Sequence, residues 1–247
     1  MGLLAAGKTD IGMKRKTNQD SIYLNAQKHI FVVADGMGGH KAGDLASQMA
    51  VKHIPEYLLA HPGEEPDKVC RESIRHANLT IKTKSDTSED FTGMGTTSVL
   101  FYFKGAHLYL GNVGDSRAYL VNSHKLYQLT RDHSLVQEKL NLGIYNREQA
   151  AADPHKNVLV RTVGFEPEVD VDAFTYKVHR NDIFLSCSDG LHGKVSDADI
   201  LYIININIPD PSKASEAQVQ KVVDLLVDQA NANGGNDNIS VILVIAQ

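Results

Sequence analysis

The sequence predicts an α+β fold in which helices cover packed β-sheets. A block of strand-like segments occupies the middle of the 247-residue chain, and helical patterns occur both before and after it. No linker-like stretch interrupts this arrangement, so we expect one domain that covers residues 1–247.

The first half of the chain combines two helices with a run of strands. Apolar residues recur at helical spacing in residues 42–60 and 67–83. The period then becomes that of strands, which we expect at residues 96–103, 107–113, 117–121 and 125–129. Short polar connections between these four segments predict an antiparallel meander.

The second half alternates between the two patterns. Residues 134–152 have a helical pattern interrupted by Gly143, and a polar loop follows them. Two further helices are expected at residues 197–205 and 214–232. Further strands are expected at residues 158–163, 169–176, 183–188 and 239–245.

Composition limits the classes of function. The net charge is −5, which argues against a nucleic-acid partner because such proteins usually carry a basic excess. No apolar stretch approaches the roughly 20 residues that span a bilayer, so we expect no membrane contact. Cys70 and Cys187 lie in apolar patterns without metal-ligand spacing, which is typical of buried thiols in a reducing compartment. The N-terminus lacks the basic start of a signal peptide, and we expect a cytoplasmic protein.

Four Asp residues stand where strand-like runs end or begin: Asp35, Asp115, Asp189 and Asp237. Asp35 and Asp189 occur in nearly the same pattern, because each follows an apolar run and precedes a Gly. Carboxylates that converge on one crevice repel one another unless a cation lies between them. Oxygen donors without a Cys/His set favour Mg²⁺ or Mn²⁺ over Zn²⁺, so the pattern predicts a Mg²⁺ or Mn²⁺ site.

Three competing motifs lack the context that their chemistry requires. Residues 2–9 match the phosphate-binding pattern GxxxxGK[ST], but no strand-like run precedes them and no helical stripe follows. Residues 170–172 form the DxD of haloacid-dehalogenase-type phosphatases, but their charges alternate with apolar residues, as in a strand with one wet face. Neither Cys is followed by the Gly-rich, Arg-ending loop of a cysteine phosphatase.

Six short motifs follow one another along the chain: Arg15-Lys16-Thr17-Asn18-Gln19-Asp20, Asp35-Gly36-Met37-Gly38-Gly39-His40, Gly93-Met94-Gly95-Thr96-Thr97, Gly114-Asp115-Ser116-Arg117, Ser188-Asp189-Gly190 and Asp237-Asn238. In this order they resemble the motifs of the type-2C, metal-dependent (PPM) Ser/Thr protein phosphatases. The Met-Gly-Gly-His that follows Asp-Gly resembles the bacterial branch. The resemblance covers essentially the whole chain. It implies a sandwich of two antiparallel β-sheets flanked by helix layers, with a variable flap at about residues 134–164.

The resemblance also implies a binuclear Mn²⁺ or Mg²⁺ centre between the sheets. Asp35 is expected to bridge both ions, with the Gly36 carbonyl on one ion and with Asp189 and Asp237 on the other. Asp20 is expected to hold a water of the centre or to lie just outside the ligands.

A third ion, described for bacterial members of the family, is expected at Asp115 together with Asp189. Arg15 is expected to bind the substrate phosphate through its guanidinium group.

The implied reaction is hydrolysis of phosphoserine and phosphothreonine by direct attack of an activated water. The leaving alkoxide then needs a proton. Eukaryotic members carry a His directly after Asp-Gly for this role, but this chain has Met37 there. His40 is the nearest substitute, and a water of the centre is the other candidate.

The implied partners are phosphoproteins, made in the cell by a bacterial Ser/Thr kinase. We expect the protein to act as a monomer. The main alternative is a catalytically inactive member of the family that serves as a binding or regulatory module, although such a protein would be expected to lose a metal carboxylate.

Overall fold

Residues 2–38 and 42–247 are described in this computed structural model. Their strands are β1 (Leu3–Asp10), β2 (Asp20–Asn25), β3 (Ile30–Met37), β4 (Gly95–Thr96), β5 (Ser98–Lys104), β6 (His107–Val113), β7 (Arg117–Asn122), β8 (Lys125–Gln128), β9 (Asp172–Lys177), β10 (Ile183–Cys187) and β11 (Ile239–Ala246). Their α-helices are α1 (Ala42–Ala60), α2 (Pro66–Ser85), α3 (Leu135–Asn141), α4 (Arg147–Ala152), α5 (Asp189–His192), α6 (Asp197–Asn207) and α7 (Glu216–Ala232).

The strands form two antiparallel sheets. One sheet has the order β1-β11-β10-β7-β8, and the other has the order β2-β3-β5-β6-β9, with the short β4 paired to β3. Helices α1 and α2 cover the outer face of the second sheet, whereas α5, α6 and α7 cover the first. The predicted sandwich of two antiparallel sheets flanked by helices is confirmed.

Three apolar layers stabilise this arrangement. One layer lies between each sheet and its helices, and the third fills the space between the sheets. The middle layer contains Phe31, Phe101, Phe103 and Phe184, whose neighbouring rings meet edge to face with centroids 5.4–6.2 Å apart. Such aromatic pairs add about 0.5–1.5 kcal/mol each beyond the burial of their area, so the two sheets are held in fixed relation.

The predicted antiparallel meander of four strands is wrong. β5 pairs with β6 and β7 pairs with β8, but these two hairpins belong to different sheets. The chain changes sheets at Gly114, whose φ of 102° is accessible mainly to glycine. The turn that carries Asp115 is therefore a crossing between the sheets rather than a hairpin.

Several predicted segments change extent. Residues 158–163 do not form a strand but make two isolated bridges, Ser134 with Leu159 and Thr96 with Val163. Only the second part of the predicted strand 169–176 is regular, since β9 begins at Asp172. The five predicted helical segments correspond, within a few residues at most ends, to α1, α2, α3 with α4, α6 and α7.

Two strands were not predicted from the sequence. β1 occupies the residues of the GxxxxGK[ST] pattern, so these residues do not form a phosphate-binding loop. Most residues of β1 and β2 are only half-buried, and neither strand shows a clear apolar alternation. The wet face predicted around the DxD triplet is present, because Asp170 and Asp172 are exposed while Val171 is buried.

Candidate metal centre

The register of the strands brings the acidic residues to one edge of the sandwich. Asp20 at the start of β2 lies directly opposite Asp35 near the end of β3. In the other sheet, Cys187 at the end of β10 is paired with both Arg117 and Val241. Asp115, Asp189 and Asp237 each lie two residues beyond the strand ends at this edge. The convergence expected from the sequence is therefore present in the topology.

Thr97 and the start of α1 fix the positions of Asp35 and Gly36. The Asp35 N–H donates to Thr97 Oγ1 at 2.9 Å, and the Thr97 N–H donates to the Asp35 carbonyl at 2.8 Å. A Cβ on Gly36 would lie 2.1 Å from the carbonyl oxygen of Gly43, so only glycine allows the start of α1 to approach β3 this closely.

Asp20 is buried, with 5% of its surface exposed. Its Oδ2 accepts a hydrogen bond from Ser188 Oγ at 2.7 Å, whereas its Oδ1 has no hydrogen-bond partner among the described residues. Burial raises the pKa of Asp20 to about 7, and the nearby Asp189 adds to this effect.

Asp115 and Asp189 face each other across the edge. Burial raises the pKa of Asp115 to about 7, with a further contribution from the charge of Asp189. Burial and the charge of Asp237 raise the pKa of Asp189 to about 6. The Oδ1 atom of Asp189 also has no hydrogen-bond partner in the described part of the chain. For both carboxyls, burial and like charge outweigh the hydrogen bonds and cations that favour the ionised form.

His192 connects the elements that carry these two residues. Its Nε2 lies 3.1 Å from the Asp115 carbonyl oxygen, which can only accept, so the ring donates. Burial lowers the pKa of His192 to about 4, and the ring is therefore neutral at physiological pH.

Asp237 is paired with Arg15, whose Nη2 lies 2.6 Å from Asp237 Oδ2. The hydrogen bond to Asp237 raises the pKa of Arg15, and the Arg15 side chain is half-exposed. The structure thus brings the predicted phosphate-binding residue to the acidic edge.

Asn238 anchors the loop that carries Arg15. Its Oδ1 accepts from the Gln19 N–H at 2.8 Å, and its Nδ2 donates to the Ile11 and Thr17 carbonyls at 2.9 and 3.0 Å. Asn238 is 4% exposed, so these bonds are shielded from water. Its position after Asp237 in a motif was the only sequence signal for this function, and Ser188 was similarly visible only as the neighbour of Asp189.

All of these acidic residues except Asp20 line a cleft of about 270 Å³, together with Arg15 and Asn238. Its electrostatics are strongly unfavourable, because burial together with the charges of Asp20, Asp189, Asp115 and Asp237 raises the pKa of Asp35 well above its usual value. The cleft is lined by Arg15, Gln19, Asp35, Gly36, Met37, Gly38, Thr97, Asp115, Asn157, Leu159, Asp189, Asp237 and Asn238.

The donor set of the cleft fits hard divalent cations. All its candidate ligands are oxygen atoms, and two of the buried carboxylate oxygens have no partner among residues 2–38 and 42–247. Within the same residues, no three His, Cys, Asp or Glu side chains already have the closed geometry of a metal site. The candidate oxygen ligands therefore lie near one another at this edge, but they do not surround a single point as the ligands of a bound metal ion do. His40, the candidate proton donor, lies outside the described residues.

A family model described as protein phosphatase 2C matches residues 9–139, which is more than half of the chain. The chain belongs to the protein phosphatase 2C family. The family resemblance stated from the sequence motifs is thereby confirmed.

Relatives within the protein phosphatase 2C family match nearly the whole chain. The serine/threonine phosphatase stp of Listeria monocytogenes is 38% identical over 244 residues, which cover 96% of this chain and 93% of that protein. The crystal structure of the Mycobacterium tuberculosis serine/threonine phosphatase PstP/Ppp has a TM-score of 0.89 at 31% identity and covers 99% of both chains. A structure of the catalytic domain of PstP in complex with two manganese ions has a TM-score of 0.85 at 31% identity, covering 98% of this chain and 97% of that one.

In the described part of the chain, no helix combines the length and apolar character needed to cross a bilayer.

Proposed function

We propose that the chain is a protein Ser/Thr phosphatase that hydrolyses phosphoserine and phosphothreonine at a binuclear Mn²⁺ or Mg²⁺ centre in the cleft. The observation that carries this proposal is the group of mutually repelling carboxylates at one edge of the sandwich, two of which have unpartnered oxygens. Family membership and the two manganese ions of the PstP catalytic domain support it.

Each acidic residue has a proposed function. Asp35, the Gly36 carbonyl, Asp189 and Asp237 would hold the two ions. Asp20, fixed by Ser188, orients a water beside Asp35.

Asp115 would hold a third ion together with Asp189, and the hydrogen bond from His192 to the Asp115 backbone positions this turn. When bound, the ions lower the pKa of a water and neutralise charge on the phosphate oxygens.

The chain's own residues bind and orient the substrate. Arg15 moves from Asp237 to two phosphate oxygens, because its guanidinium can donate in a bidentate manner. Met37 lines the cleft but cannot carry a proton, so His40 or a water in the cleft protonates the leaving alkoxide. The proposal includes a monomeric, cytoplasmic enzyme that acts on phosphoproteins made by a bacterial Ser/Thr kinase, as the family resemblance implies.

The test is hydrolysis of a phosphoserine peptide and of p-nitrophenyl phosphate with Mn²⁺ and with excess EDTA. We expect turnover that requires Mn²⁺ or Mg²⁺ and is abolished by EDTA. A folded protein that binds phosphopeptides with Mn²⁺ but does not release phosphate would identify the inactive binding module instead. Undiminished turnover in EDTA after dialysis would contradict the two-metal mechanism.

A further inference from the structure

Two grooves adjoin the cleft on different walls. One groove, of about 520 Å³, contains Lys156 and Lys194 and is called the lysine groove here. The other, of about 360 Å³, contains Phe165 and is called the phenylalanine groove. The lysine groove shares Asp115, Asn157, Asp189 and Asp237 with the cleft, whereas the phenylalanine groove shares Met37 and Leu159. The two grooves have no lining residue in common, so the cleft lies between them.

One stretch of the chain, residues 156–162, forms a wall of all three cavities. Lys156 and Asn157 line the lysine groove, Asn157 and Leu159 line the cleft, and residues 159–162 line the phenylalanine groove. The backbone of this wall is fixed. The Val160 N–H donates to the His133 carbonyl, and the Leu135 N–H donates to the Val158 carbonyl, both at 2.9 Å.

The lysine groove contains two lysines, Lys156 and Lys194, in addition to Arg117. Neither Lys156 nor Lys194 forms a salt bridge within the described residues. The lysines that do form salt bridges there lie elsewhere in the chain. The carboxylate of Asp132 in this groove is paired with Arg117 at 2.7 Å. The remaining acidic residues of the groove, Asp115, Asp189 and Asp237, belong to the proposed metal centre.

The phenylalanine groove has the opposite charge. Its lining includes Glu166, Glu168 and Asp170, all of them exposed, and none forms a salt bridge within residues 2–38 and 42–247. Arg161, the basic residue of this groove, is already paired with Asp172 at 2.6 Å. The two grooves at the ends of this wall therefore differ in charge, with unpaired lysines in one and unpaired carboxylates in the other.

We propose that the phosphorylated segment of a substrate lies along residues 156–162, with acidic residues in the lysine groove and basic residues in the phenylalanine groove. This inference rests on the proposed phosphatase function. A phosphoserine whose phosphate reaches the cleft must have its polypeptide leave the cleft on both sides, and the two grooves provide these exits. The charges select substrates in which acidic and basic residues flank the phosphoserine on opposite sides.

The experiment uses two phosphoserine peptides of identical composition, one with Glu residues before and Lys residues after the phosphoserine, and one with the order reversed. We expect kcat/KM of the Mn²⁺-loaded protein to differ about 5- to 10-fold between them at low salt, since exposed charge pairs contribute weakly but several act together. The difference should shrink at high ionic strength because salt screens exposed charges.

Charge-reversal variants assign the effect to the grooves. In the lysine groove, the double variant Lys156→Glu, Lys194→Glu should reduce or invert the ratio of the two kcat/KM values. In the phenylalanine groove, the double variant Glu168→Lys, Asp170→Lys should have the same effect on this ratio. Lys28→Glu reverses a single charge in the β2–β3 turn, at the end of the hairpin away from Asp20 and Asp35, and should leave the ratio unchanged.

Equal kcat/KM for the two peptides would overturn this inference while leaving the phosphatase function intact. A ratio that persists in both double variants, each shown by circular dichroism to be folded, would overturn it as well. Absence of Mn²⁺-dependent turnover on either peptide and on p-nitrophenyl phosphate would contradict the proposed function itself, and this inference with it.

Discussion

Asp20 and Asp35 lie directly opposite each other across the β2–β3 pair, at the edge where three further carboxylates meet. Like charges in opposed positions of a sheet destabilise it. Repulsion at this edge therefore destabilises the folded protein, and a bound cation would offset this destabilisation. Removing the charge of one carboxylate separates the repulsion in the metal-free protein from the contribution of that carboxylate to metal binding.

Asp35→Asn should stabilise the metal-free protein while removing its activity. In EDTA at pH 8 the variant is expected to melt at a higher temperature than the unchanged protein, because its amide keeps the shape of Asp35 and removes the repulsion. With saturating Mn²⁺, turnover should fall by at least about 100-fold, since even residues outside the ligands cost 10- to 100-fold in metalloenzymes. Asp228→Asn, an exposed substitution on α7, is the control and should alter neither the melting temperature in EDTA nor the turnover with Mn²⁺. Near-normal turnover of Asp35→Asn would show that Asp35 is not a ligand.

The metal-free protein should lose stability as the pH rises from about 5 to 8. Asp20 and Asp115 have folded pKa values of about 7 and Asp189 of about 6, all above the ordinary Asp value of 3.8. At pH values between the ordinary Asp pKa and these raised pKa values, the folded state binds more protons than the unfolded state. Raising the pH therefore favours unfolding. In EDTA the melting temperature should drop by about 5 °C or more across this range. Saturating Mn²⁺ should remove most of the drop, and a metal-free melting temperature that rises towards pH 8 would contradict the repulsion.

The sequence was sufficient to predict which residues meet at this edge. Asp35 and Asp189 follow apolar runs, and antiparallel pairing places the end of each run beside the start of a partner strand, as for Asp35 beside Asp20 and Cys187 beside Val241. The partners that fix these residues could not be predicted in the same way. The bond from Ser188 to Asp20 joins residues 168 positions apart, and the bond from the Gln19 N–H to Asn238 joins residues 219 apart. No local pattern reports such distant contacts.

The distribution of the strands between the two sheets could not be predicted from the sequence either. A hairpin and a crossing between sheets both use a short turn with Gly, so the sequence pattern on either side of Gly114 predicts a meander. The irregular wall at residues 158–163 has the apolar content of a strand. Its backbone instead bonds to His133 and Thr96, which lie far from it in sequence.

Arg15→Ala should raise KM for phosphopeptides by more than it lowers kcat, because the guanidinium mainly binds the ground-state phosphate. Lys14→Ala and Lys16→Ala are matched controls, since both neighbours are basic and exposed but form no salt bridge among the described residues. Steady-state kinetics on one phosphopeptide compares the three variants. Similar effects of all three would reject a specific function of Arg15 in favour of a general basic surface.

Asn238→Ala should lower stability and weaken metal binding. Three buried hydrogen bonds are lost at about 1 kcal/mol each, and the loop that carries Arg15 and leads to Asp20 is released. Thermal melting and Mn²⁺ titration calorimetry measure the two effects. Asn236→Ala, an exposed change two residues away, should change the melting temperature little. Unchanged Mn²⁺ affinity in folded Asn238→Ala would show that the loop does not depend on this anchor.

His40→Ala distinguishes the two candidate proton donors. If His40 is the general acid, the variant should slow a phosphoserine peptide about 100-fold or more, and p-nitrophenyl phosphate far less, because nitrophenolate leaves without protonation. The ratio of the two losses is the measurement. A ratio near one would exclude His40 as the acid and leave a water in the cleft as the donor.

The central claim is that the carboxylates of this edge hold two divalent ions. Anomalous diffraction from crystals grown with Mn²⁺ tests it most directly. We predict two manganese peaks in the cleft, with Asp35 in contact with both and with Asp189, Asp237 and the Gly36 carbonyl among the ligands. A crystal of the active protein with no manganese peak in this cleft, or with peaks only elsewhere, would contradict the account.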